Sequence, residues 1–183
     1  MPWLPDGFNA PHHALVAGMR LTVLSTACAN EDFAAVQASA DAIRGVFGPD
    51  NDWPPATLTE QENRADLARH AQQFDDRSAC AYALRDAGSA AYLGCMYLKP
   101  VKSRLALDAR RAQFQAQGFV WLDVRRVDWS VDAVRRDLAA WVAQDWPFRS
   151  VAWPGYRPDW ATWQALAKAD GSGPSPGNSI PPP

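Results

Sequence analysis

From Val131 to Trp146 apolar residues recur at helical spacing. Val134, Leu138, Trp141, Val142 and Trp146 form one stripe, while Arg135, Arg136, Asp137 and Gln144 lie on the other faces. Residues three and four apart share a helix face, so the stripe predicts an amphipathic helix, Val131 to Asp145, packed on a core. Pro147 stops it, because proline has no N–H to continue the ladder. The period changes on both sides. Phe119 to Val124 and Arg149 to Trp153 are short runs rich in aromatic and β-branched residues, and both read as strands. Upstream, Arg20 to Leu24 is a further strand. Asn30, followed by Glu31 and Asp32, reads as the cap of a helix that carries Phe33, Val36, Ala40, Ile43 and Phe47 and closes at Gly48-Pro49. Thr59-Glu60-Gln61-Glu62 has the hydroxyl-to-glutamate spacing of a capping box and opens a helix to about Phe74. Ala79 to Arg85 and Ala91 to Leu98 flank the turn-forming Asp86-Ala87-Gly88-Ser89, which predicts a β-hairpin.

Lys99 to Gln117 is a polar, basic connection with some helix in it, and Pro158 to Ala169 reads as a last short helix. The resulting order, β-α-α-β-β-β-α-β-α, predicts an α/β (α+β) domain with a mixed sheet and helices on both faces. Residues 1–19 show no period and read as an irregular arm, 20–169 as one domain, and 170–183, rich in Pro, Gly and Ser, as a disordered tail.

Composition narrows the function. A length of 183 residues suits one domain with a real core. A net charge of −2 lacks the basic surplus of a nucleic-acid binder. No apolar run approaches the roughly 18 to 20 residues of a membrane span, and the first 20 residues do not read as a secretory signal. Three widely spaced cysteines, Cys28, Cys80 and Cys95, fit free buried thiols in a reducing cytoplasm. His12, His13 and His70 have no partners at metal-ligand spacing, so no metal site is expected. Of nine tryptophans, most are expected as core filler; Trp160 and Trp163, beyond the last strand, are candidates for an exposed, partner-facing patch.

The chemistry concentrates where the strand at Phe119 runs into the helix at Val131. A helix start exposes unpaired N–H groups and a positive dipole end, which is where α/β proteins seat phosphates. Close approach of backbone to phosphate usually needs glycine, yet the turn reads Arg-Arg-Val-Asp-Trp-Ser-Val-Asp from Arg125 to Asp132. Ser130 and Asp132 read as helix caps, and Asp132 puts a carboxylate where a phosphate would compete for the same N–H groups. Arg125, Arg126, Arg135 and Arg136 supply positive charge nearby.

The element order together with Trp53-Pro54-Pro55, Leu58 to Asn63, Tyr92-Leu93-Gly94-Cys95-Met96-Tyr97-Leu98, Leu138 to Val142 and Asp145-Trp146-Pro147-Phe148 resembles the GNAT superfamily of N-acetyltransferases, over roughly residues 20 to 155 and closest to a bacterial subgroup of small members. The resemblance implies a mostly antiparallel sheet and acetyl-CoA held where two neighbouring strands splay apart. Carried over by position, Leu122 and Val124 would meet the acyl and pantetheine part, and Arg125, Arg126, Ser130, Val131 and Asp132 the pyrophosphate. The family's glycine-bearing motif is absent at Ser130 and Asp132. Asp123 takes the place of a carboxylate base and Tyr156 that of a tyrosine acid. Family members usually continue with two more strands after the last helix, whereas here a short helix and a tail follow, so the C-terminal half reads as truncated and a second copy of the chain, as a homodimer, is one way to complete the acceptor wall. Two functions follow: an acyl-CoA-dependent N-acetyltransferase acting on a small-molecule amine, a protein N-terminus or a lysine, or a GNAT-like binding module without catalysis.

Overall fold

The computed structural model describes residues 3–103 and 108–168; the tail expected at 170–183 lies outside the described residues. The chain first folds where two residues with positive φ, Ala17 at 46° and Gly18 at 83°, join β1 (His13–Val16) to β2 (Met19–Val23). Such a two-residue turn matches the twist of paired strands and closes a hairpin, with Val16 opposite Met19. The expectation of an irregular arm over 1–19 is corrected here. β1 is an edge strand in which only Val16 is buried, so no alternation marks it in the sequence.

Four more strands follow: β3 (Cys80–Asp86), β4 (Tyr92–Lys99), β5 (Ala116–Leu122) and β6 (Val151–Ala152). They form one six-stranded sheet in the order β1 to β6, antiparallel as far as β5 and parallel between β5 and β6. β3, β4 and β5 are covered on both faces, which is why they read as apolar runs without alternation. One core layer joins Leu21, Tyr82, Leu84, Met96 and Val120 to Leu138 and Trp141 of α4 (Val131–Asp145). The other joins Ala83, Cys95 and Trp121 to Val36 and Ile43 of α1 (Ala29–Ile43) and Leu67 of α2 (Glu60–Asp75). Two short helices, α3 (Ala109–Gln113) and α5 (Trp160–Lys168), pack together, with Phe114 against Trp163 at 5.7 Å.

Local signals were followed to different degrees. The capping box of α2 is complete: the Thr59 hydroxyl accepts the Glu62 N–H, and the Glu62 carboxylate accepts the Thr59 N–H at 2.8 Å. α4 has the bounds its stripe predicts, and the Ser130 hydroxyl accepts the Ala133 N–H. α1 departs from expectation at both ends. A 3-10 turn at Thr26–Cys28, capped by Ser25, leads into it, so Asn30 lies inside the helix and accepts a hydrogen bond from Arg64 instead. It stops at Ile43, before Gly45 turns the chain at a φ of 83°. Phe47 therefore leaves the helical stripe and packs on the aromatic side chains of Tyr97 and Phe119.

Candidate functional site

β5 and β6 begin side by side, with Ala116 opposite Val151 and Gln117 opposite Ala152, and then part. β6 ends after two residues because the Trp153 N–H turns away to the Arg157 carbonyl at 2.7 Å, and the Arg157 N–H returns to Trp153. β5 continues without that neighbour. The Asp123 N–H donates to the Leu93 carbonyl of β4, and backbone direction alternates along a strand. Phe119 and Trp121 therefore also turn to β4, while Val120 and Leu122 turn their N–H and C=O groups toward the open side. Among the described residues no strand or side chain takes those groups up. Backbone groups walled in by apolar side chains normally find partners, so this stretch of edge is shaped to receive an extended polar chain.

A hollow of about 180 Å³ lies against that edge, lined by Val120, Leu122, Val124 and Val131 together with Arg126 and Arg135. Four of the residues expected to hold a cofactor, Leu122, Val124, Arg126 and Val131, thus come together. The Val124 N–H is taken by the Ser39 hydroxyl of α1 at 3.0 Å, and its side chain is half exposed. Arg126 donates through Nε to the Tyr92 carbonyl at 2.9 Å, which fixes it at the rim. The other three face different tasks. Arg125 grips Asp123 through Nε and Nη2 at 2.9 and 2.7 Å. Ser130 spends its hydroxyl on the helix cap. Asp132 points outward and lies 3.6 Å from Arg135.

Asp123 is 1% exposed. Burial alone would raise its pKa, but the Arg125 side chain and backbone N–H, with Arg126 nearby, hold the carboxyl below its ordinary value. A carboxylate so held is a weak base; its evident work is to bind the end of β5 to the turn that follows. Tyr156 stands beside the vertex where β5 and β6 part, with the Arg135 and Arg157 guanidinium groups at 6.0 and 5.2 Å from its ring.

At this vertex Trp153 carries no role expected from the sequence, and Arg135, expected only as one of four nearby positive charges, takes a specific place. The Trp153 ring lies flat in the fork: a Cβ added to Gly118 would meet it at 2.6 Å, and the space left between Gly118, Arg135, Trp153 and Tyr156 does not admit a water-sized sphere. Arg135 reaches in from α4, 21% exposed, and burial lowers its pKa. Its position one residue after Val134 is the signal that existed: that places it at the border of the apolar stripe, next to the sheet.

On the opposite face of the sheet a second chamber, of about 500 Å³, lies between Phe47 and Trp53 of the α1–α2 connection, α2 and β4. His70 belongs to it. Its ring lies tilted against Tyr97 with centroids 5.2 Å apart, and burial lowers its pKa. The expectation for Trp160 and Trp163 is also corrected, since Trp160 stacks over Phe119 and Trp163 is buried. The cysteines are buried. Among the described residues no three His, Cys, Asp or Glu side chains converge as metal ligands, and no helix is long and apolar enough to cross a membrane.

No protein-family model matches the sequence, and no curated protein matches it. Solved structures do match in fold. RimL, a ribosomal L7/L12 alpha-N-protein acetyltransferase solved in complex with coenzyme A, is 12% identical, with a TM-score of 0.52 over 72% of this chain and 67% of its own. An acetyl transferase from Salmonella typhimurium that modifies the N-terminal serine of the same ribosomal protein gives 0.52 at 10% identity, over 72% and 69%. A chain from Bordetella pertussis assigned to the GnaT acetyltransferase family gives 0.50 at 14% identity, over 71% and 72%. At these identities the likeness is one of fold, and the chain has the GNAT acetyltransferase fold.

Proposed function

We propose that the chain is an acyl-CoA-dependent N-acyltransferase acting on an amine of a small molecule or a protein. The observation that carries this reading is the bare backbone edge of Val120 and Leu122 at the splay of β5 and β6. A ligand that satisfies it must be extended and carry amides at intervals that match a strand, as the pantetheine arm of coenzyme A does. RimL, of the same fold, was solved with that cofactor.

This chain's residues fit the arm of such a cofactor. Leu122, Val124 and Val131 supply an apolar wall, the strand edge orients the amides, and Arg126 and Arg135 supply positive charge at the hollow. Ser130 and Asp132 do not offer a glycine-like approach to a pyrophosphate, so the anionic end falls to the arginines. When bound, the cofactor supplies an acyl group activated as a thioester. Asp123 acts by position, locking Arg125 and the turn, and Tyr156 is the side chain at the vertex with a hydroxyl able to hold a proton.

Calorimetry with acetyl-CoA tests this. Saturable binding is expected, with stabilisation of about 2.7 kcal/mol at a hundred times the dissociation constant, and Arg126→Ala should weaken it about tenfold. Absence of heat and of a melting shift at millimolar acetyl-CoA would overturn the reading.

One observation favours a second reading, a binding module without catalysis: the Trp153 ring fills the vertex that an acyl group must cross to meet an acceptor. Acetyl-CoA binding with no acetyl transfer to any of a panel of amines, and transfer appearing only in Trp153→Ala, would favour this second reading over the first.

A further inference from the structure

The 500 Å³ chamber on the α1–α2 face is separate from the groove at β5; the two share no lining residue. Its size is that of a small-molecule site. Its walls are largely apolar, with Phe47, Trp53, Tyr97 and Leu98 among them. Its charges are unbalanced. Among the described lining residues the one carboxylate, Asp66, is already held by Arg69 and lies 3.9 Å from Nε2 of His70. That leaves Lys99 and Lys102.

Lys99 is the unusual one. Its ammonium sits over the Phe119 ring at 4.6 Å and the Phe47 ring at 5.5 Å. Among the described residues no carboxylate pairs with it. Ring faces offset only part of the cost of desolvating an ammonium. Burial, and then the neighbouring charges of Lys102 and Arg69, lower its pKa, which is the signature of a cation without its counter-ion.

We propose that this chamber binds a small organic monocarboxylate with an apolar body, its carboxylate on Lys99 and its hydrocarbon part against Phe47, Trp53 and Tyr97. A phosphate suits the site less well, since a dianion needs several converging cationic donors, and here the Arg69 guanidinium is held by Asp66 and the Lys99 ammonium lies over two aromatic rings. The proposal does not rest on the acyltransferase reading, and loss of acetyl-CoA binding would leave it standing.

The probes are phenylacetate, 3-phenylpropionate and hexanoate, each set against its neutral amide and titrated into the full chain by calorimetry and by NMR of the aromatic ring protons. The expected result is saturable one-to-one binding of at least one acid, with ring shifts at Tyr97 and His70. Its amide should bind at least about tenfold more weakly, because a hydrogen bond to a charged group is worth a factor of that order. Lys99→Met, which keeps the stem and removes the charge, should lower acid affinity by at least about tenfold while the melting temperature stays near that of the parent. The proposal is overturned if no acid binds at millimolar concentration, if acid and amide bind alike, or if folded Lys99→Met binds the acid as before. Should Lys99→Met not fold, the acid–amide comparison and the ring shifts in the parent chain decide alone.

Discussion

Asp32 is 3% exposed, yet it is a carboxylate in a core layer. It is tolerated because Asn63 donates to Oδ2 at 2.8 Å and the Tyr92 hydroxyl donates to Oδ1, with the Cys95 thiol also in range. Buried polar groups persist when their partners are present and are costly when they are not. His70 follows the same logic with a different sign. Burial favours its neutral form, and Asp66 and Gln73 only partly oppose that. Its folded pKa is therefore below the ordinary 6.5. The stability it contributes is fully present above that value. It is lost as pH falls, because the unfolded chain takes up a proton that the folded chain resists. Urea unfolding followed from pH 7 downward should show stability declining from about pH 6.5. His70→Gln, which removes the titrating group, should flatten that part of the profile, and an unchanged slope would count against the assignment.

At the scale of elements, helices with strong start signals appear where the chain announces them. Thr59→Ala removes the hydroxyl half of the α2 capping box and leaves the Glu62 N–H without its partner. About 1 kcal/mol of stability should be lost, read from the denaturant midpoint, with acetyl-CoA binding unchanged because α2 does not line the groove at β5. Strands behave differently. β3, β4 and the hairpin between them are legible from apolar runs and turn chemistry, whereas β1 escapes because an edge strand with one buried residue has no pattern to show. β6 is shorter than its apolar run, since Trp153 leaves the ladder to close a turn onto Arg157.

The N-terminal stretch acts on the molecule as a whole. Trp3 stacks on Phe148 at 5.3 Å, Leu4 is 1% exposed, and Phe8 meets Trp146 at 5.4 Å. Arg77 holds the stretch down by donating to the Pro5 and Phe8 carbonyls at 2.9 and 2.7 Å. It thus closes the core layer beneath α4. Removing residues 1–9 should cost more than about 3 kcal/mol, comparable with deleting a large buried side chain, and should red-shift tryptophan emission as Trp146 meets water. A truncated chain with the parent's midpoint would refute that role. The consequence for the site is indirect: α4 carries Arg135 to the vertex, so whatever steadies α4 steadies the groove.

Periodicity and end signals in the sequence were sufficient to determine α2, α4, the β3–β4 hairpin and the strand-turn-helix at Asp123, because each depends on interactions within a few residues. The same local logic placed Ser130 at the cap, whereas the family resemblance, carried over by position, is what assigned Leu122, Val124 and Arg126 to one groove. Tertiary structure decided the rest. That Trp153 fills the fork over Gly118, that Arg135 turns inward and that Lys99 meets rings instead of a carboxylate are all contacts between segments far apart in the chain or between faces of different elements. No period encodes them. Local spacing specifies which face of an element is apolar, while the space left between elements, and the charges stranded in it, exist only once the sheet and its two helical layers have closed.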